Sequence, residues 1–229
     1  MYGVFFITII FAVIGMIVQS RLKSKFKKYS EVGLQNGLSG KEIAEKMLRD
    51  NNIFDVRILS VEGQLTDHYN PTDKTVNLSP DVYHGRSVSA AAVAAHECGH
   101  AVQHAVAYSM LQFRSAMVPV LNIANNFMPI ALSIGMMILY STGNRTVLLV
   151  GVVMFALATL FSFVTLPVEF DASNRALAWM ESKNMVNQIE HDGAKDALWW
   201  AAMTDVAAAM GMLAQLLYYV SMLSGRRND

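Results

Sequence analysis

The segment His96-Glu97-Cys98-Gly99-His100 has a spacing that can do chemistry. On an α-helix, residues four apart lie about one turn apart on the same face, so the two imidazoles can share one zinc ion. Glu97 stands beside them, where a carboxylate can take a proton from a water that the metal has activated. Such a short pattern also arises by chance, so its surroundings matter. Ser87 to Ala95 is a run of small, helix-favouring residues, and Ala101 to Ala107 keeps the apolar spacing, which puts the segment inside one buried helix. The chemistry implied is zinc-dependent hydrolysis of a peptide bond.

A catalytic zinc takes three protein ligands and keeps a fourth position for water. His104 extends the ladder of His96 and His100, but about 12 Å of helical rise separates it from His96, against zinc-nitrogen bonds of about 2 Å. It is therefore expected to be a supporting or packing residue. Cys98 points about 200° away from His96 and reads as small core packing. The third ligand must come from elsewhere. Leu166-Pro167-Val168-Glu169-Phe170-Asp171 offers two carboxylates after a proline that suits the start of a helix, and Glu169 is the expected ligand. Tyr83, Arg175 and His191 are candidates for stabilising an oxyanion, and the sequence does not choose among them.

The elements that must position these residues are unusually apolar. Hydrophobic residues make up 53% of the 229 and charged ones only 16%, with a mean hydropathy of +0.32, too apolar for an ordinary soluble domain. Met1 to Ser20 is uncharged and long enough to cross a bilayer. A secretory signal would carry its positive charge ahead of the apolar run. Here Arg21, Lys23, Lys25, Lys27 and Lys28 follow it, which favours an uncleaved anchor with a cytoplasmic flank. Further spans are expected at Met117 to Thr142, Thr146 to Val168 and Val206 to Gly225. The first holds Pro119, Asn122, Asn125, Asn126 and Pro129, so part of it should face protein or water.

Two crossings between His100 and Pro167 return the chain to the side that holds the zinc helix, as a shared metal requires. With the basic flank inside, the N-terminus lies outside, the site faces the cytoplasm, and a fourth crossing carries Arg226 and Arg227 outside. A last segment that dips in without crossing would leave both arginines in the cytoplasm. An impermeant label on a cysteine placed within 64 to 74, in a Cys98→Ala background, reads the orientation. Protection in intact cells is expected, and labelling would put the site outside.

Between the first span and the zinc helix, Ser39-Gly40-Lys41-Glu42 reads as a capping box that opens an amphipathic helix through Arg49, with Ile43, Met47 and Leu48 on its apolar face. Val56 to Val61 and Lys74 to Leu78 read as strands, with Pro71 and Asp73 at the turn between them. The second strand is expected to offer its edge to an extended peptide. Asp67-His68-Tyr69-Asn70-Pro71 reads as turn chemistry. The single cysteine excludes an intramolecular disulfide, and no nucleic-acid motif accompanies the basic cluster.

Asp67-His68-Tyr69, Leu78 to Tyr83, Ala94 to His104 and Leu166 to Ser173 together resemble the YugP-like bacterial membrane zinc metallopeptidases. The resemblance covers nearly the whole chain. It implies a gluzincin-type site with His96, His100 and Glu169 as zinc ligands and Glu97 as catalytic base. A more distant likeness is to the HtpX and CAAX-prenyl-protease group, whose third-ligand motif has an aspartate four residues after the glutamate. Ser173 stands there in this chain, and Asp171 is the nearest substitute.

The fold class expected is mainly α: a multi-span helical membrane protein with a zinc-binding helix and a small α+β part outside the membrane. Residues 1–20 form the anchor, 21–116 a cytoplasmic catalytic region, 117–168 a transmembrane hairpin, 169–205 a cytoplasmic segment with the third ligand, and 206–229 the last span and tail. The expected partners are a peptide or membrane-protein substrate and the lipid bilayer of a bacterial cytoplasmic (inner) membrane, without nucleic acid. Two other classes compete. A site-2-type intramembrane protease would place the two histidines in a span and draw a ligand from an Asp-Gly motif, but no L-D-G triplet exists and Val88 to Ala95 is too short to cross. A non-enzymatic scaffold would close the zinc with a fourth protein ligand.

Overall fold

The computed structural model describes residues 2–63 and 66–225, so Arg226 and Arg227 lie outside the described residues. In chain order the elements are α1 (Tyr2–Ser30), α2 (Gly40–Asp50), β1 (Arg57–Ser60), β2 (His68–Asn70), β3 (Thr75–Leu78), α3 (Pro80–Tyr83), α4 (Val88–Ala105), α5 (Ser109–Thr142), α6 (Thr146–Ser182) and α7 (Gln188–Ser224). The protein is mainly helical with one small sheet, and α1, α5, α6 and α7 are long and apolar enough to cross a membrane. The chain forms two compact units. One gathers residues up to Ile17, Phe113–Leu166 and residues from Asp205 on; the other gathers Val18–Gln112 and Pro167–Thr204.

The first unit is a helical bundle. Leu132, Leu148, Val152, Phe155 and Tyr219 form its core, with the rings of Phe155 and Tyr219 edge to face at 5.8 Å. Arg145, in the turn between α5 and α6, donates to Leu223 O and Gly225 O at 2.7 Å each, which satisfies carbonyls at the end of α7. Phe6, Ile123, Ile130, Val153 and Leu217 are exposed on these helices. Apolar exposure of that extent fits helices that face lipid.

The second unit carries the sheet, in the order β1-β3-β2. β1 pairs parallel with β3, from Arg57 opposite Thr75 to Ser60 opposite Leu78, and β2 pairs antiparallel with it, from His68 opposite Asn77 to Asn70 opposite Thr75. Two sequence expectations change here. The strand over 75–78 is central, paired on both sides, and has no edge to offer. Residues 68–70 are a strand and not a turn, and they form an edge of the sheet. The turn begins after them, where Asn70 Oδ1 accepts from Thr72 N at 2.9 Å and Asp73 N at 3.2 Å. Three polar residues are too short a run for period-two patterning to mark as a strand.

α2 begins on the capping box: Ser39 Oγ accepts from Glu42 N at 3.3 Å and Ser39 N donates to Glu42 Oε2 at 2.7 Å. Its buried face of Ile43, Met47 and Leu48 packs in one core with Val76 and Leu78 of β3, Ala91, Ala95, Cys98 and Val102 of α4, and Ala176, Trp179 and Met180 of α6. Asp67 holds the chain ahead of α3 by accepting from Ser79 N at 2.7 Å and Ser79 Oγ at 3.1 Å.

α6 corrects a third expectation. Pro167 does not begin a helix; it lies inside α6, which runs on to Ser182. Proline removes one backbone donor, but its fixed φ is helical, and a helix with anchored halves on both sides of it continues. The contact that sets α6 against α4 is at Gly99. A Cβ added there would lie 2.5 Å from Ala172 O and 3.1 Å from Ala172 Cα, so the two backbones meet where only glycine fits. Gly99→Ala is expected to lower the melting temperature of the purified protein, overpacking of this kind costing about 1–3 kcal/mol. An unchanged melting temperature would show that α4 and α6 separate without penalty.

Candidate metal centre

α4 places His96 and His100 on one face, with ring centroids 4.8 Å apart and planes at 84°. Glu169 reaches them from α6, its Oε2 3.3 Å from His96 Nε2 and 3.2 Å from His100 Nε2. One ligand atom from each residue lies within 4.8 Å of the others. Bonds of about 2.0–2.2 Å in a tetrahedron separate neighbouring ligand atoms by about 3.3–3.6 Å, close to the two distances from Glu169. The side chains of His96, His100 and Glu169 are 15%, 11% and 19% exposed, so solvent reaches a small part of each. A donor set of two imidazoles and one carboxylate has the composition of a catalytic zinc site.

Charge around the cluster is organised. Burial pushes the His100 imidazole down, but the hydrogen bond and charge of Glu169, with the charge of Glu97 and the bond to Gln103, outweigh it and raise its pKa above the ordinary value. Glu97 is buried beside the cluster. Cys98 is fully buried, its Sγ 3.7 Å from Ala44 O, and burial pushes its thiol up, so it is packing and not a reactive group.

The ring nitrogens that face away from Glu169 also have partners. His96 Nδ1 lies 3.1 Å from Ser173 Oγ and His100 Nδ1 lies 3.0 Å from Gln103 Oε1. Gln103 Nε2 donates to Val168 O at 2.7 Å and to Asp171 Oδ2 at 2.8 Å, and Arg175 Nε donates to the same Asp171 oxygen at 2.6 Å. Sequence reasoning missed Gln103. The available signal was its place three residues after His100, a neighbouring position on the helix surface, in an otherwise apolar run.

The remaining candidates fall elsewhere. His104 is outside the cluster and exposed, its Nδ1 2.8 Å from the Tyr69 hydroxyl of β2. Arg175 reaches the cluster only through Asp171 and Gln103, and it lies 5.8 Å from the centre of the Tyr108 ring. Tyr83 packs against His84 and under Lys41, and His191 sits near the start of α7, its buried Nδ1 without a hydrogen-bond partner and 3.8 Å from Asp192 Oδ1. Among the described residues, His104 and His191 are outside the group of possible ligands.

With that geometry in view, the chain belongs to the family described as "Putative neutral zinc metallopeptidase", which matches over residues 4–224. It is similar to a protein of Bacillus subtilis (strain 168) named "Putative membrane protease YugP", with 40% identity over 224 residues that cover 98% of each chain. No solved structure matches it. The family carries zinc into consideration on grounds separate from the geometry, and the donor set fits that metal. Glu169→Gln is expected to weaken zinc by more than about 100-fold in chelator competition, beyond the range for an outer partner, while His104→Ala leaves it within about threefold. The reverse ranking would make His104 the ligand.

Proposed function

We propose that the chain is a membrane-integral zinc metalloendopeptidase that hydrolyses peptide bonds, with His96, His100 and Glu169 as ligands and Glu97 as general base. The observation that carries this reading is the meeting of three ligand atoms from two helices, with the buried Glu97 next to His96 in the chain. Bound zinc supplies a Lewis acid that polarises a carbonyl and brings the pKa of a water to about 7. Glu97 takes the proton from the attacking water and returns it to the leaving amine. Ser173 and Gln103 hold the two imidazoles, so that the ligand nitrogens stay directed at the open position.

β2 is an edge of the sheet and packs beside α4, so an extended substrate can pair with it through backbone hydrogen bonds. Four helices able to cross a membrane and the relative's printed name support a location in a bacterial cytoplasmic membrane. The basic residues from Arg21 to Lys28 support a site that faces the cytoplasm. Membrane-protein quality control is the role proposed for such an enzyme, with peptides or membrane proteins as substrates.

Glu97→Gln tests the catalytic claim. The amide can still hydrogen-bond water but cannot accept its proton, so zinc content and melting temperature are expected to stay while hydrolysis of a casein or reporter peptide falls by about 10²-fold or more. Retained turnover would end the general-base assignment.

A further inference from the structure

Gln103 is fully buried on α4, and its amide has two hydrogens to donate and one oxygen to accept. Both hydrogens are used, because Nε2 faces Val168 O at 2.7 Å and the Asp171 carboxylate oxygen at 2.8 Å. A reversed amide would set its oxygen against two oxygens that can only accept. Oε1 therefore points at His100 Nδ1, 3.0 Å away, and an acceptor in that place requires a proton on Nδ1. Nε2 of the same ring, 3.2 Å from Glu169, is left as the nitrogen that can ligate.

We infer that Gln103 is the positioning residue of the metal site: it fixes His100 with its proton on Nδ1 and presents Nε2 to zinc, and Asp171 and Arg175 act through it by holding the amide in one direction. The inference rests on the zinc reading above. Histidine ligands often lean on a carboxylate directly. Here a neutral amide stands between, and the negative charge sits one link further out, paired with the Arg175 guanidinium. The amide also joins the two helices, since both of its acceptors, Val168 and Asp171, flank Glu169 on α6. His96 is held differently. The Ser173 hydroxyl can donate or accept, so it leaves the His96 tautomer undecided.

The test uses the full chain in detergent. Two-bond ¹⁵N–¹H correlations of the imidazoles are expected to show a proton on Nδ1 of His100 both with zinc and without it. Gln103→Met, close in volume and unable to accept, is expected to weaken zinc about 10–100-fold in chelator competition. An unprotonated Nδ1 at His100 in either state, or wild-type zinc affinity in Gln103→Met, would overturn the inference. Should Gln103→Met not fold, the correlations on the unaltered protein decide alone. A wild-type chain that binds no zinc would instead overturn the zinc reading, and the Nδ1 proton would still be read without metal.

Discussion

At Gly99 the backbone of α4 touches the backbone of α6 beside Ala172, and the geometry of the metal cluster follows from that contact. His96 and His100 sit on α4 around Gly99, while Glu169 and Ser173 sit on α6 around Ala172. A side chain at residue 99 would push the helices apart, and the carboxylate reaches both imidazoles only because the backbones lie this close. The alanines of α4 serve the same end by letting its other faces approach their neighbours, and Ala91, Ala94 and Ala95 are fully buried. Small residues in this helix are therefore a condition of the site, as well as good helix formers.

Burying so many polar groups near an apolar core is unfavourable unless each is bonded. The chain meets that requirement around the cluster with a connected set: His96 to Ser173, His100 to Gln103, Gln103 to Val168 and Asp171, and Asp171 to Arg175. A set of this kind also has direction. Each partner limits which way the next can point, so the three side chains are held in one arrangement.

Much of this was legible in the sequence because it depends on local periodicity. The four-residue spacing that joins His96 to His100, the Ser39 capping box and the apolar lengths of the long helices are all one-dimensional patterns. Counting the two apolar segments between His100 and Pro167 leads to the expectation that Glu169 lies on the same side as the two histidines, which needs no side-chain detail. What escaped depends on three-dimensional context. β2 is too short and polar to announce itself. Pro167 carries the same local signal whether a helix begins at it or runs through it. Gln103 has meaning only once Val168 and Asp171 are known to face it, and these lie on a helix more than sixty residues away in the chain.

Anomalous scattering at the zinc absorption edge from crystals of the full chain addresses the central claim most directly. One peak per chain is expected within bonding distance of His96 Nε2, His100 Nε2 and a Glu169 oxygen, with no fourth protein ligand. A peak that is absent from this position, bound by His104 in place of Glu169, or closed off by another side chain would contradict it.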